Sequence, residues 1–131
     1  MQGRCQLCSR RKALRANGTI VAHYTGGGPC EGAGFAPLEE TDARLVQLLE
    51  KTEREIAEIG AEIRELVDRR ANWIDPRLAD RRGALLSRAA WLRRRLHRLH
   101  SWPARFVREM ERQGWGYPPP AWLIARQQAP Q

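Results

Sequence analysis

Mostly apolar residues recur in alternating steps of four and three through the middle of the chain, from residue 45 to residue 73, with Thr52 and Arg70 as the two exceptions. The pattern covers about four heptads and predicts one long α-helix with a coiled-coil seam. A second seam follows, with leucines at positions 78, 85, 92 and 99. The middle of the chain is therefore expected to form two long helices. The first seam consists of Leu45, Leu49, Thr52, Ile56, Ile59, Ile63, Leu66, Arg70 and Trp73.

The two predicted helices are separated by Asp75 and Pro76. Aspartate is a favoured N-cap, and proline suits the first helical position because its missing N–H needs no partner there. If the turn lies near residue 73, the acidic first arm faces the basic second arm, with Glu53 near Arg93. The prediction is an antiparallel helical hairpin of the coiled-coil type.

The sequence after the hairpin indicates one short helix and then a tail. Pro103 can begin a helix with an apolar face, and Gly114 can end it. Three consecutive prolines, at positions 118 to 120, then favour an extended segment. The part of the chain from residue 114 to residue 131 is therefore expected to be an extended tail rich in proline and tryptophan.

The chain before the hairpin has a different composition. Residues 1–38 hold most of the glycines and all three cysteines, without an apolar run of helical period. The expected fold class is mainly α, with three parts. These are a small zinc-binding β-hairpin module at 1–38, a helical hairpin with a short third helix at 39–113, and the tail at 114–131.

Three cysteines and one histidine in the first part have the spacing of a metal site. Cys5 and Cys8 form a Cys-x2-Cys knuckle, and His23 and Cys30 supply a distant second pair. An odd number of cysteines suits a metal site better than a disulfide framework, because a histidine can complete the ligand set. The alternative is three free thiols in a reducing cytosol. A Cys3His site has no open position, so the expected cofactor is structural Zn²⁺ rather than a hydrolytic metal.

A turn between the two ligand pairs supports this interpretation. Asn17-Gly18 is a strong hairpin signal, because both positions of a type I′ turn need a positive φ. Thr19, Ile20 and Val21 favour the returning strand. The hairpin is therefore expected to bring His23 back toward the knuckle.

Residues 5–34 resemble a short zinc-finger or ribbon module found in small proteins of actinobacterial phages and their hosts. That module has the form C-x2-C-G-R, a basic hairpin, H and then C-x-G-S-G. Here Ser9 stands where a glycine is usual, and Ala33 stands where a serine is usual. The resemblance implies bound zinc and suggests contact with nucleic acid or a protein partner.

The net charge of +8 is unevenly distributed. Residues 1–38 carry +4, residues 39–68 carry −6, and residues 69–112 carry +9. Much of the basic charge of the second arm can therefore pair with the acidic first arm. The charge pattern thus supports pairing within the hairpin as well as it supports binding of an external acidic ligand. The basic residues that are candidates for contact with nucleic acid or another acidic partner are Arg10, Arg11, Lys12, Arg15, Arg93, Arg94, Arg95 and Arg98. The alternative, for the residues of the small module (10–15) and for those of the second predicted helix (93–98), is a basic surface that only contacts solvent.

Large apolar side chains at the hairpin tip and in the tail are candidates for docking to a protein. Rigid aromatics beside a pre-extended polyproline segment can occupy a partner's groove at low entropic cost. Packing against the chain's own helices is the alternative for the tryptophans. The candidate docking residues are Trp73, Ile74, Trp115, Tyr117 and Trp122.

The sequence lacks the usual signs of catalysis. It has no glycine-rich phosphate loop and no nucleophile placed with a histidine and an acid. His97 and His100 lie in an arginine-rich helix and are expected to be surface residues. The longest uncharged stretch is shorter than the roughly 18 to 20 apolar residues of a membrane span. A soluble protein without a membrane or small-molecule partner is therefore expected.

The leading functional hypothesis is a nonenzymatic zinc-binding accessory or regulatory protein, encoded by a phage. It would bind nucleic acid or a nucleoprotein machine such as the transcription apparatus through its basic surfaces. The second hypothesis is a scaffold or interaction protein whose hairpin forms a homodimer or inhibits a host protein. Either protein would work in the cytoplasm of a bacterial host or in association with a virion.

Overall fold

The computed structural model describes residues 1–114 and 116–128. Two small antiparallel hairpins come first, and helices make up most of the rest. The chain divides into two compact units, one formed by Met1–Leu45 with Leu96–Gln131 and the other by Val46–Arg95. The elements are β1 (Gln2–Arg4), β2 (Arg11–Ala13), β3 (Tyr24–Thr25), β4 (Gly28–Pro29), α1 (Ala43–Asp68), α2 (Pro76–His100), α3 (Trp102–Gln113) and α4 (Ala121–Gln128).

The Val46–Arg95 unit is the predicted helical hairpin. Thr52 and Ile59 of α1 are buried, as are Ala89 and Leu92 of α2. Thr52, Ile59 and Leu92 lie on the predicted seams, and Ala89 lies between Leu85 and Leu92 at the intervening core position. Two long helices pack together along these seams, so the mainly helical fold class is confirmed.

An ion pair joins the two arms of the hairpin as expected. The Arg93 guanidinium donates to Glu53 Oε1 at 2.8 Å. Both side chains are about half exposed, and such a pair stabilises by roughly 0 to 1 kcal/mol. It therefore contributes more to the relative alignment of the helices than to stability.

The first helix ends earlier than the heptad pattern predicts. Arg70 has φ 54°, its N–H donates to Val67 O, and the Ala71 N–H donates to Leu66 O. This is a Schellman motif, which normally has glycine at the left-handed position. Trp73, the last position of the predicted seam, therefore lies outside α1 and is 70% exposed.

The second helix begins as predicted. Asp75 is the N-cap, and its Oδ1 accepts the Arg77 backbone N–H at 3.0 Å. Pro76 is the first residue of α2. The Arg77 side chain, and then the Arg77 backbone N–H, hold the pKa of Asp75 below its ordinary value.

The third helix is confirmed, and a fourth corrects the prediction of an extended tail. Gly114 ends α3 with φ 75°, and its N–H donates to Met110 O at 2.9 Å. The Pro120 carbonyl then accepts two N–H groups of the first turn of α4. Leu123 in α4 is fully buried. An eight-residue helix is too short to be stable alone, so burial of this leucine stabilises it.

No helix in the described part of the chain combines the length and the apolar character that a membrane span requires.

Candidate metal centre

The β1–β2 hairpin carries the first ligand pair in its turn. Arg4 pairs with Arg11 at the end of the ladder, and the Cys5 N–H donates to Arg10 O at 3.0 Å. The chain then turns back through Ser9, whose N–H donates to Cys5 O at 3.0 Å. Ser9 has φ 63°, a left-handed conformation that glycine adopts at lower cost. Glycine would therefore fit this backbone position with less strain than serine.

The turn that follows β2 lies where the sequence predicts it, but its turn type differs from the prediction. The Gly18 N–H donates to Arg15 O, and the Arg15 N–H donates to Thr19 O. Gly18 has φ 83°, whereas Asn17 has no positive φ. The expected two-residue type I′ turn is therefore wrong, and a three-residue loop with one left-handed position replaces it. Asn17 instead uses its side-chain oxygen to accept from the Thr19 N–H and hydroxyl, at 3.1 and 2.7 Å.

The β3–β4 hairpin brings the second ligand pair together. Tyr24 pairs with Pro29, and the Cys30 N–H donates to His23 O at 2.9 Å. His23 and Cys30 are thus the residues that flank the two-stranded ladder. A hairpin with six residues between the ligands therefore presents both side chains at its open end.

The four predicted ligand atoms meet at one place. The Sγ atoms of Cys5, Cys8 and Cys30 and a ring nitrogen of His23 all lie within 4.8 Å of one another. Cys5 Sγ is 3.7 Å from Cys30 Sγ, and Cys8 Sγ is 3.4 Å from His23 Nε2. Tetrahedral Zn²⁺ with ordinary bond lengths requires about 3.8 Å between two sulfurs and about 3.6 Å between sulfur and nitrogen. The cluster therefore has the dimensions of a metal site.

The same distances exclude a disulfide. A sulfur–sulfur bond is about 2.05 Å long, whereas the Cys5 and Cys30 sulfurs are 3.7 Å apart. The three cysteines, all within the described residues, are free of disulfides. The predicted ligand set of Cys5, Cys8, His23 and Cys30 could thus hold a metal ion.

The histidine ring is oriented by the backbone. His23 Nδ1 is 2.8 Å from Val21 O, so a proton on Nδ1 is donated to this carbonyl. The lone pair of Nε2 then faces the cysteine sulfurs. A hydrogen bond of this kind from the distal nitrogen is usual in metal-binding histidines, where it fixes the tautomer.

The two thiols of the knuckle have different electrostatic surroundings. Burial is the main cause that raises the pKa of Cys5 to about 11. Burial also raises the pKa of Cys8, but the Arg10 backbone N–H and His23 outweigh it and lower that pKa below its ordinary value. A buried thiolate at Cys5 therefore needs a compensating cation.

A buried glutamine inside the knuckle joins the ligand pair to the first helix. Gln6 Oε1 accepts the N–H groups of Arg44 and Leu45, at 2.9 and 3.3 Å, in the first turn of α1. Gln6 Nε2 donates to Ala36 O at 2.9 Å. The side chain thus caps a helix from 38 residues away, which sequence reasoning missed because capping signals are sought next to the helix.

Glycine lines the site at one position. A Cβ on Gly32 would collide with the Cys5 sulfur. Gly32 is buried and its φ is not positive. Glycine is therefore required at position 32 because its backbone lies close to the Cys5 sulfur, and not because of the turn geometry.

The candidate basic residues divide by their surroundings. In the first unit, Arg10, Arg11, Arg15 and Arg98 are exposed and Lys12 is half-buried. In the Val46–Arg95 unit, Arg94 is exposed, Arg95 is half-buried, and Arg93 is paired with Glu53. The exposed cations of the small module are therefore open to a ligand.

The candidate docking residues also divide. Trp73 and Tyr117 are exposed, and Ile74 is half-buried. The Trp122 indole donates to Leu38 O at 2.9 Å, and Trp122 belongs to α4 rather than to the predicted extended tail. Trp115 lies outside the described residues.

A polar cluster in the first unit was also missed. Asp42 is only 5% exposed, and its Oδ2 lies 2.8 Å from His100 Nε2 and 3.1 Å from Arg126 Nη1. His100 is therefore not the free surface residue that was expected, whereas His97 is exposed. The cluster fixes α4 to the start of α1 and the end of α2 within the first unit. No local signal could have found it, because Asp42 and His100 are 58 residues apart.

Comparison of the chain with protein-family models, with curated proteins and with solved structures finds no match.

Proposed function

We propose that this protein is a nonenzymatic accessory protein whose N-terminal module is held together by structural zinc and binds nucleic acid through its basic rim. The observation that carries the proposal is the Cys3His cluster in a module whose exposed charges are mostly positive. The resemblance of residues 5–34 to phage zinc modules agrees with it.

The donor set supports zinc. Three thiolates and one imidazole at tetrahedral distances are typical of zinc and match its structural sites. With four protein ligands the ion has no position for a reactive water, so its role is structural. Two hairpins of two and three residues per strand bury little apolar surface, so metal binding would supply most of their folding energy.

The charge of the module supports an anionic partner. Residues 1–38 carry five basic residues and one acidic residue. Arg10, Arg11 and Arg15 are exposed on or beside β2. Cations fixed on a rigid module neutralise phosphates with little loss of side-chain and backbone entropy.

Salt dependence of binding tests the nucleic-acid proposal. On duplex DNA each neutralised phosphate contributes about −0.9 to the slope of log K against log salt concentration, so three contacts give a slope near −3; on a single strand the contribution is about −0.7 each. Arg10→Ala and Arg15→Ala should each reduce the slope by about one. Arg69→Ala, which removes an exposed charge from the helical hairpin, is the matched control. A flat salt dependence would contradict the proposal.

A second candidate function is supported by the hairpin tip. Trp73 is 70% exposed and Val67 is 57% exposed, and both belong to the Val46–Arg95 unit. Tryptophan is a frequent anchor of protein interfaces. We propose, as the alternative, that this tip docks to a protein or to a second copy of the chain. A dimer in light scattering that Trp73→Ala converts to a monomer, with nucleic-acid binding absent, would favour it.

A further inference from the structure

A cleft in the first unit lies next to the small module. Its volume is about 420 Å³, within the range of small-ligand sites. Its lining includes two arginines of the β1–β2 hairpin, and aromatic and proline side chains from the part of the chain between Trp102 and Pro120. The lining residues are Arg4, Arg11, Leu38, Glu39, Trp102, Tyr117, Pro118 and Pro120.

The two arginines of the lining place like charges opposite each other. Arg4 and Arg11 are direct cross-strand partners in the β1–β2 ladder. Like charges directly opposite each other destabilise a pair of strands, and a bound anion between them would offset this repulsion. Within residues 1–114 and 116–128, neither guanidinium forms an ion pair. The nearby Glu39 carboxylate instead accepts the Arg4 backbone N–H, at 2.7 and 3.0 Å.

The aromatic part of the lining presents a ring on a stiff backbone. The Trp102 indole N–H donates to Tyr117 O at 3.0 Å, which ties the segment to the start of α3. Pro118 restricts the backbone conformation of the residue before it. The Tyr117 side chain is nevertheless 74% exposed. A large ring held by its backbone but open to solvent is suited to stacking against a planar ligand.

We infer that this cleft binds one nucleotide of a single-stranded nucleic acid. The base stacks on Tyr117, and the phosphate lies between the guanidinium groups of Arg4 and Arg11. The inference rests on the proposed function, which gives nucleic acid as the ligand. It adds a preference for single strands over duplexes and places the binding site in this cleft. A duplex keeps its bases stacked and paired, so it cannot offer one to the cleft without an energetic cost.

Fluorescence anisotropy with a labelled thymidine single strand tests the stacking contact. Base–aromatic stacking contributes about 1–3 kcal/mol, so Tyr117→Ala should weaken binding by about fivefold or more. Tyr117→Phe keeps the ring and should bind like the native protein. An abasic strand has the same phosphates without bases, and its affinity should be equal for all three proteins. Because the ring is exposed, its removal leaves the fold intact.

A pair of arginine variants tests the phosphate contact. Arg11→Ala and Arg15→Ala each remove one exposed charge from the same module, but only Arg11 lines the cleft. The general electrostatic loss is therefore matched. We expect Arg11→Ala to weaken single-strand binding more than Arg15→Ala does. For duplex binding, we expect the two variants to be weakened equally.

The possible failures are distinguishable. Equal affinity of the native protein and Tyr117→Ala for the thymidine strand overturns the cleft while leaving the proposed function intact. No binding of any strand or duplex by the native protein overturns both. Tighter binding of a phosphotyrosyl peptide than of the thymidine strand, lost in Tyr117→Ala, overturns the choice of ligand.

Discussion

Replacement of Gly32 by alanine tests whether the Cys3His cluster is the element that folds the small module. The added Cβ would overlap the Cys5 sulfur, and Cys5 is fully buried. The sulfur cannot move away without leaving the cluster, so the cost should lie at the upper end of the 1–3 kcal/mol that overpacking usually costs. A loss of about 3 kcal/mol corresponds to roughly a 100-fold weaker zinc affinity.

Two other glycines provide matched controls for this change. Gly34 has φ 82° and open space around its Cα, so Gly34→Ala introduces backbone strain of about 1–2 kcal/mol without a clash at the cluster. Gly26 has open space and no positive φ, so Gly26→Ala should be nearly neutral.

Competition with a chromophoric chelator measures zinc affinity, and thermal unfolding of the zinc-loaded proteins measures stability. We expect the order Gly26→Ala, Gly34→Ala, Gly32→Ala in increasing loss of both quantities. A Gly32→Ala protein with native zinc affinity would refute the packing of Gly32 against a metal-bound Cys5 sulfur.

Three further predictions concern other parts of the chain. Ser9→Gly relieves the left-handed backbone at φ 63° but adds unfolded-state entropy, so we expect a gain in stability of at most about 1 kcal/mol, measured by thermal unfolding. Leu123→Ala removes a fully buried side chain and should lower the free energy of unfolding by about 2–5 kcal/mol. The backbone amides of α4 should then lose their protection from hydrogen exchange. Unchanged protection would show that Leu123 does not hold α4 in place. Arg77 lowers the pKa of Asp75 in the folded state. The Asp75 carboxylate therefore stabilises the folded state fully at pH values above its ordinary pKa of 3.8, and this stabilisation is lost as the pH falls through the lower folded-state pKa. The stability difference between the native protein and Asp75→Asn should therefore shrink as the pH is lowered below 3.8, and a constant difference would contradict the assignment.

Features that depend on neighbouring residues could be predicted from the sequence. The knuckle pair Cys5 and Cys8 is defined by residue type and local spacing, and the Asn17-Gly18 signal located the turn between the ligand pairs. The heptad pattern likewise predicted both long helices, and Asp75 with Pro76 marked the start of the second. Local patterns were sufficient here because helix periodicity and metal-ligand spacing act over a few residues.

Features that depend on distant partners could not be predicted. The fourth helix is stabilised by burial of Leu123 and by the contact between Arg126 and Asp42, which are 84 residues apart. Gln6 caps α1 from the metal knuckle, and nothing beside α1 indicates this. The left-handed conformation of Arg70 ends α1 before its apolar pattern ends, because sequence periodicity does not reveal where a Schellman motif forms.

The proposal that zinc holds together a module that binds nucleic acid can be tested by comparing the zinc-loaded protein with the chelator-stripped protein. Nucleic-acid binding is titrated over a range of salt concentrations, and zinc content is determined in the same samples. We expect one zinc ion per chain, a salt slope near −3 for the loaded protein on duplex DNA, and loss of most of the affinity on stripping. Equal binding by the stripped protein, or binding that does not change with salt, would contradict it.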